Sequence, residues 1–565
     1  MSRCNPRRPP EGGHYDSLAC RARNALNSRS PACPARPACP RSPFLPLPAL
    51  PALPAFQPLL ALPALLPLPP FLPSPFAITI GVTVTPDFLR LLADALPPAA
   101  IVRDPSELLI YESDALVHLR SVPGAVVLPT SAADVQTVVR LCHQHGVPFV
   151  ARGHGTGLSG GALPHPDGVL IVLSRLNRIL DVDIPNQRVV VEPGVTNLEI
   201  TKRVAPHGYY YAPDPSSQSV CSIGGNVAEN SGGAHCLKYG FTVHHVLGVE
   251  VVLPNGDLVT LGGAALDAPG LDLLGVVIGS EGTLGVVTKA TLRLLRKPEA
   301  VLTLLAAFDS IDKAGGAVSS IISHGIVPAA VEMMDRLTIQ AAEAAVHPNF
   351  PDCEAVLIVE LDGPQVEVDE LFDVVERVCR DAGAVSVEIA RDQGQRDRIW
   401  KGRKAAFAAM GRISPNYYVQ DGVVPRTKLP EVLGRIRDLS ERTGLRIGNV
   451  FHAGDGNLHP LICYDGTVPG EAEKAERVAS EILHYCIDAG GAITGEHGVG
   501  ADKKAYMADM FAPVDLDTMQ LVRCGFDPTN ICNPGKVFPT PRLCGEVPGP
   551  YRAHPVEQLG LAERV

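Results

Sequence analysis

The sequence predicts an α+β protein rather than a doubly wound α/β one, and three observations carry that expectation. Glycine-dense loops sit on short strands without a long helix after them. Past Lys297 the order strand–helix–strand occurs twice. The first 80 or so residues have the composition of neither part.

The leader comes first. No charged residue lies between Ser42 and Pro86, so hydropathy alone would suggest a membrane span. The stretch PLPALPALPAFQPLLALPALLPLPP argues against one, because proline removes backbone donors and a spanning helix must satisfy its backbone internally. It is polyproline-like low complexity. The segment before it is rich in Arg, Pro and Cys and poor in acids, as transit peptides are. Residues 1–83 are expected to be disordered and to take no part in chemistry. The next methionine after Met1 is Met333, so a non-Met start near Val82 or Val84 is an alternative origin for the globular part.

The 565 residues suffice for two to four domains. A net charge of −11, with no basic stripe beyond the leader, excludes nucleic acid as a partner. The 14 cysteines contain no CxxC pair, which excludes a zinc ribbon or an iron–sulfur cluster held by this chain. Reduced thiols in a cytoplasmic protein are expected.

From about Thr85 the pattern becomes globular. TSAADVQTVVRLCHQHG predicts a helix with a Ser131/Asp134 capping box, an apolar stripe of Val135, Val138, Val139 and Cys142, and Gly146 at its end. VPFVARGHGTGLSGG then runs a buried strand into a glycine loop. Gly155, Gly157 and Gly160 match the spacing of a dinucleotide fingerprint, but Pro164, Pro166, Gly168 and the strand VLIVL follow where a helix would have to open. The Rossmann reading fails. Such a loop can still bind phosphate as a nest of backbone N–H groups, with Arg152, Thr156 and Ser159 adding charge and donors. A second stretch, PDPSSQSVCSIGGNVAENSGGAHCLKYG, places Ser222, Gly224, Gly225 and Asn226 where a short helix begins. A third, IGSEGTLGVVTKATLRL, feeds a strand. Three such loops suggest one extended cofactor lying across several strand edges.

Beyond Lys297, AVLTLLAAF, SIDKAGGAVSSIISHG and IVPAAVEMM form one strand–helix–strand unit. EAVLIVEL, QVEVDELFDVVERVCRDAG and AVSVEIA form another, giving the βαββαβ order of a ferredoxin-like sandwich. Helices near 393–410, 428–442 and 471–489 follow. Between the last two, FHAGDGNLHP predicts a hairpin with a tight Asp-Gly-Asn turn. Its histidines, His452 and His459, read as a metal site, a substrate clamp or a turn that happens to carry histidines.

Taken together, VARGHGTGLSGG, PDPSSQSVCSIGGNVAENSGG, GSEGTLGVVT, HAGDGNLHP, TGEHGVG and NPGKVFP resemble the FAD-dependent D-2-hydroxyacid dehydrogenases of the vanillyl-alcohol-oxidase superfamily, above all the FAD-binding subunits of glycolate oxidases. The resemblance covers roughly 89–539. It implies a two-lobed FAD-binding domain of the PCMH type over 84–298, a cap or substrate domain over 299–540 and a tail over 541–565. It assigns to FAD the residues Arg152, Gly153, His154, Gly155, Thr156, Gly157, Ser159 and Gly160 at the diphosphate. Pro213, Asp214, Ser222, Ile223, Gly224, Gly225, Asn226, Asn230, Gly232 and Gly233 go to the flavin and its diphosphate. Glu281, Gly282 and Val287 go nearer the adenosine, and Asn533 returns from the cap. It also implies a divalent metal, Zn²⁺, Mn²⁺ or Fe²⁺, on His452, His459 and Glu496.

In that reading His497 takes the hydroxyl proton of a 2-hydroxy acid, and Arg403 in IWKGRKAAF binds its carboxylate. His154 stands where relatives usually carry a small residue. No lysine of the kind used for a second carboxylate occurs near YYVQDGVVP, which favours glycolate or D-lactate over D-2-hydroxyglutarate. Electrons are expected to leave to a separate iron–sulfur, cytochrome or quinone-linked acceptor, with the chain cytoplasmic or held at the inner face of a membrane through that partner and without a span of its own. The competing readings are a D-2-hydroxyglutarate dehydrogenase, a non-redox ether-lipid synthase, an aryl-alcohol or sugar oxidase, and a non-catalytic flavin-binding subunit of an oxidase complex.

Overall fold

The computed structural model describes residues 84–265 and 270–539. The leader and the tail discussed above lie outside them. The first helix, Pro86–Ala95, starts where its chemistry requires: the Thr85 side chain accepts from Phe88 N at 3.1 Å, and Pro86 takes a position that needs no donor. The helix Ala132–His145 carries the expected capping box and buried stripe, and Gly146 closes it in the left-handed region at φ 65°.

Two main sheets build the first half. In the smaller, Phe149–Arg152 and Ala125–Val127 flank Val169–Val172 in parallel, and Ile101–Val102 adds an antiparallel edge. A loop alone joins Arg152 to Val169, as the prolines and glycines predicted. The second sheet is five-stranded and antiparallel, in the order 179–183, 188–191, 286–293, 246–252, 258–262. Its strand Val286–Arg293 alternates buried and partly buried residues, the mark of one face on a core.

The cap is built on a larger sheet. Ala300–Phe308, Ala330–Asp335, Ala355–Gly363 and Ser386–Ala390 lie in the spatial order fourth, first, third, second, with the helices Ile311–Ser323 and Gln365–Asp381 as crossovers. This is the ferredoxin-like arrangement. A further helix, Arg336–Val346, follows Asp335 directly, and the Asp335 side chain caps it through Thr338 N. Strand period 2 divides the sheet's side chains between two cores. Val331, Met333, Leu357 and Val359 face one; Ala330, Met334, Val356 and Ile358 face the other, where Gln393–Ala409 packs. Glu332 and Glu360 sit on that second face.

The histidine hairpin extends the sheet: Ile447–His452 pairs with Ala330–Asp335, and Gly456 turns the chain at φ 84° into Asn457–Leu458 and Pro460–Tyr464. After Pro513–Phe526 the chain returns to the first lobe. Phe149 N donates to Ile531 O, Asn533 N donates to Phe149 O, and Ile531 and Cys532 join the core around Phe88 and Phe149. Among the described residues no helix is long and apolar enough to cross a membrane. Eight described cysteines are free thiols, as expected, but Cys524 is disulfide-bonded, which corrects the expectation of thiols throughout.

Candidate active site

The three glycine loops and the hairpin meet at a cavity of about 650 Å³, a size that suits a cofactor with a small substrate. Bare backbone forms much of its wall: Gly153, Gly155, Gly157 and Gly161 from the first loop, Gly224 and Gly225 from the second, Gly282 and Gly285 from the third. Arg152, His154, Thr156, Ser222, Asn226, Glu281 and Val287 also line it. The cap contributes Lys404, Phe407, Tyr417, Tyr418, Val419, His459, Glu496 and His497. Bare amides beside hydroxyls and an amide side chain suit an anionic dinucleotide.

Several expected cofactor residues also tie the loops together, some of them from the cavity wall. The Arg152 guanidinium donates to Ser113 O at 2.6 Å and Tyr111 O at 3.4 Å, and a Cβ on Gly155 would overlap it. His154 Nδ1 donates to Val220 O at 2.6 Å, tying the first loop to the second. Ser159 is fully buried; its carbonyl accepts from Ala501 and Asp502, so it and Gly160 join the loop to the cap. Pro213 O accepts from Asn197, and Asp214 takes the His235 ring at 2.8 Å. Ile223 is a core residue, and Asn230 caps the helix Ile223–Glu229 in the left-handed region. Gly233 packs against Asp214. Gly232 leaves room for Glu496, whose Oε2 would lie 2.9 Å from a Cβ there. Asn533 donates to Gly161 O and Glu281 O, a clasp between the chain's return and two loops. The Glu281 carboxylate accepts from Val499 N and Gly500 N at 2.7 and 2.6 Å, so its side chain anchors the GEHGVG segment.

The hairpin brings the remaining residues together. His452 Nε2 lies 3.2 Å and His459 Nε2 3.4 Å from the same Glu496 oxygen. The His497 ring stacks on His459 with centroids 5.0 Å apart and planes 4° apart. Both ring nitrogens of His459 are buried without a hydrogen-bond partner. Ligand atoms of His452, His459 and Glu496 all lie within 4.8 Å of one another. Two imidazoles and a carboxylate around orphaned nitrogens fit a divalent cation. Asp421, His459 and His497 form an overlapping set, with Asp421 Oδ1 3.4 Å from His459 Nε2. The other oxygen, Oδ2, accepts from Thr494 Oγ1 at 2.6 Å and from the backbone N–H of Gly495, Glu496 and His497 at 3.0, 3.2 and 2.9 Å, with Lys503 Nζ at 3.4 Å.

Charge sets the protonation of this cluster. Burial alone would raise the carboxyls, but His452, His459 and His497 hold Glu496 down to about 2. The charges of His497, Lys503 and His459 likewise outweigh burial and keep Asp421 well below the usual carboxylate range. Burial is the leading influence on His497 and lowers it to about 4, so its imidazole is neutral at physiological pH.

Arg403 is placed differently from the sequence expectation. Its guanidinium, 3% exposed, donates from Nε to Glu332 Oε2 at 2.8 Å and lies off the cavity wall, while Lys404 and Phe407 line it. Sequence reasoning also missed Glu332, Asp421, Lys503 and Glu229, a buried carboxyl in the cavity wall with an unpartnered oxygen. The available signal was an acid inside an apolar strand, VEMM, and another in QDG.

Comparison with known proteins agrees with this architecture. Residues 123–262 match the FAD binding domain family, and residues 297–537 match the C-terminal domain of FAD linked oxidases. The chain belongs to the FAD-linked oxidases and is an FAD-dependent oxidoreductase. It is 50% identical to glycolate oxidase subunit GlcD of Escherichia coli over 81% of this chain and 92% of that protein. It is 32% identical to D-lactate dehydrogenase of Anaerostipes hadrus over 80% and 98%. Among solved structures, p-cresol methylhydroxylase (TM-score 0.68, 18% identity, 80% of this chain, 96% of that one) and alkyldihydroxyacetonephosphate synthase (0.63, 20%, 80%, 84%) share the fold.

Proposed function

We propose that this enzyme oxidises a small D-2-hydroxy acid, glycolate or D-lactate, to the 2-oxo acid. One observation carries the reading: His459, Glu496 and the neutral His497 line the cavity that the glycine loops enclose, with His452 joining His459 and Glu496 behind its wall. Glycolate and D-lactate are the substrates named by the relatives at 50% and 32% identity.

The 2-hydroxy acid must lose a hydroxyl proton and its α-hydride. FAD, held by the loops around Gly153–Gly157, Ser222–Asn226 and Gly282, supplies the hydride acceptor. A divalent cation on His452, His459 and Glu496 would supply a Lewis acid that lowers the hydroxyl pKa. The imidazole of His497 takes the hydroxyl proton, its backbone N–H held by Asp421. Tyr417, Tyr418 and Phe407 exclude water from the substrate end of the cavity. Electrons then pass to a separate iron–sulfur, cytochrome or quinone-linked subunit, since the sequence has no cysteine cluster of its own.

A dicarboxylic hydroxy acid is the second reading. Lys404 lines the cavity and makes no ion pair among the described residues, so a distal carboxylate has a cation to meet.

An anaerobic absorbance titration of the FAD-loaded, metal-analysed protein with glycolate, D-lactate, L-lactate and D-2-hydroxyglutarate tests both. Bleaching of the oxidised-flavin band by glycolate or D-lactate, lost in Glu496→Ala, is the expected result. Bleaching by D-2-hydroxyglutarate alone selects the second reading. Bound flavin that none of the four reduces refutes both and leaves a non-catalytic flavin subunit.

A further inference from the structure

Glu332 lies directly opposite His452 on the antiparallel strands Ala330–Asp335 and Ile447–His452. Cross-strand neighbours in such a pair have side chains on one face and within reach. Glu332 Oε1 is 2.7 Å from His452 Nδ1. The carboxylate accepts, so Nδ1 carries the hydrogen; Nε2, 3.2 Å from the Glu496 oxygen to which it donates here, is the nitrogen that would give up its proton to a cation seated between them. The other Glu332 oxygen belongs to Arg403, with Nε at 2.8 Å and Nη2 at 2.6 Å. Glu332 is 0% and Arg403 3% exposed. A lone carboxylate at that depth would cost several kcal/mol, so the His452 ring and the guanidinium together permit an acid on this strand face.

We propose that Glu332 and Arg403 are a positioning pair for the cation site. Glu332 fixes the ring angle of His452 through its Nδ1 hydrogen bond, and Arg403 holds Glu332 in place. The proposal rests on the cation reading above and gives Arg403 a role other than binding the substrate carboxylate. Acceptors behind a ligating histidine typically alter metal affinity 10- to 100-fold.

The test uses the full FAD-loaded chain, stripped with chelator and titrated with Zn²⁺ or Mn²⁺ against a chromophoric competitor. Glu332→Gln is expected to weaken cation binding about 10- to 100-fold while the FAD content and the flavin spectrum stay unchanged. Removing the acid alone strands the Arg403 charge, so Glu332→Gln with Arg403→Met is made in parallel; it removes both charges and is expected to show the same loss. In a His452→Ala background the pair of substitutions should add nothing, because the pair acts through that ring. A folded variant that binds the cation within about threefold of wild type, or a further loss in the His452→Ala background, overturns the proposal. Wild-type protein that binds neither cation overturns the cation reading itself, a result distinguishable from the first.

Discussion

Asp421→Asn tests what holds the catalytic loop. One carboxylate gathers Thr494, Gly495, Glu496 and His497, and its second role is to balance Lys503, which is 1% exposed. Asparagine keeps the shape and one accepting oxygen, so the backbone bonds fall from charge-assisted to neutral, a loss of roughly 1 kcal/mol each at most. The larger effect is that buried Lys503 loses its ion-pair partner, offset in part by Glu281, at up to about 3–5 kcal/mol. Unfolding of a multi-domain flavoprotein is not a two-state measurement, so the local readout is hydrogen exchange of the amides over 494–500. At 1.4 kcal/mol per tenfold, a loss of about 3–5 kcal/mol speeds exchange on the order of a hundred- to a few-thousand-fold. Substrate-driven flavin reduction should fall by about 100-fold as Glu496 and His497 lose their placement. Adding Lys503→Met should restore most of the protection. Amides that exchange within a factor of about three of wild type in Asp421→Asn would refute the reasoning.

Two pH-dependent effects follow from buried charges. Burial first, then the charges of Glu281 and Asp114, raises Glu229 well above the ordinary glutamate value. The folded state therefore binds this proton more tightly than the unfolded chain, and stability is lost as pH rises from the unfolded value. Glu229→Gln should match wild type in urea midpoint at pH 5 and exceed it at pH 8; a gap that shrinks with pH contradicts this. His235 behaves oppositely. Burial would lower it, but Asp214 and Glu360 on either side raise it to about 10. Its contribution is complete below the unfolded value near 6.5 and disappears as pH rises through about 10. His235→Gln should cost on the order of 2–4 kcal/mol at pH 6 and almost nothing above pH 10, so an equal thermal shift at both would exclude the charged clasp.

Local chemistry was legible in the sequence. The Ser131/Asp134 capping box, the Gly146 terminator and the stripe of Glu471–Asp488 depend on neighbours within a few residues, and each forms as read. The ferredoxin-like order was legible because period 2 and period 3.6 alternate cleanly there. The helix Arg336–Val346 was not, since Asp335 ends a strand and caps a helix with no loop between. At the site, the residue types in FHAGDGNLHP and TGEHGVG named their own chemistry. Their supports did not: Glu332 is 120 residues from His452, and Asp421 is 73–76 from the loop it gathers. Such pairs are set by register across a sheet, which no short motif encodes.

The same register commits part of the Arg403 guanidinium to Glu332. Glu332 and Glu360 share one face of the cap sheet, and the helix Gln393–Ala409 meets both. Arg396 and Trp400 donate to Glu360, and Arg403, seven residues after Arg396, donates to Glu332. Swinging Arg403 towards a ligand would break a buried ion pair and leave Glu332 with His452 as its remaining partner. Lys404, one residue beyond Arg403 on the exposed side of the same helix, already lines the cavity, and a cation on His452, His459 and Glu496 would add a second positive group for a substrate carboxylate.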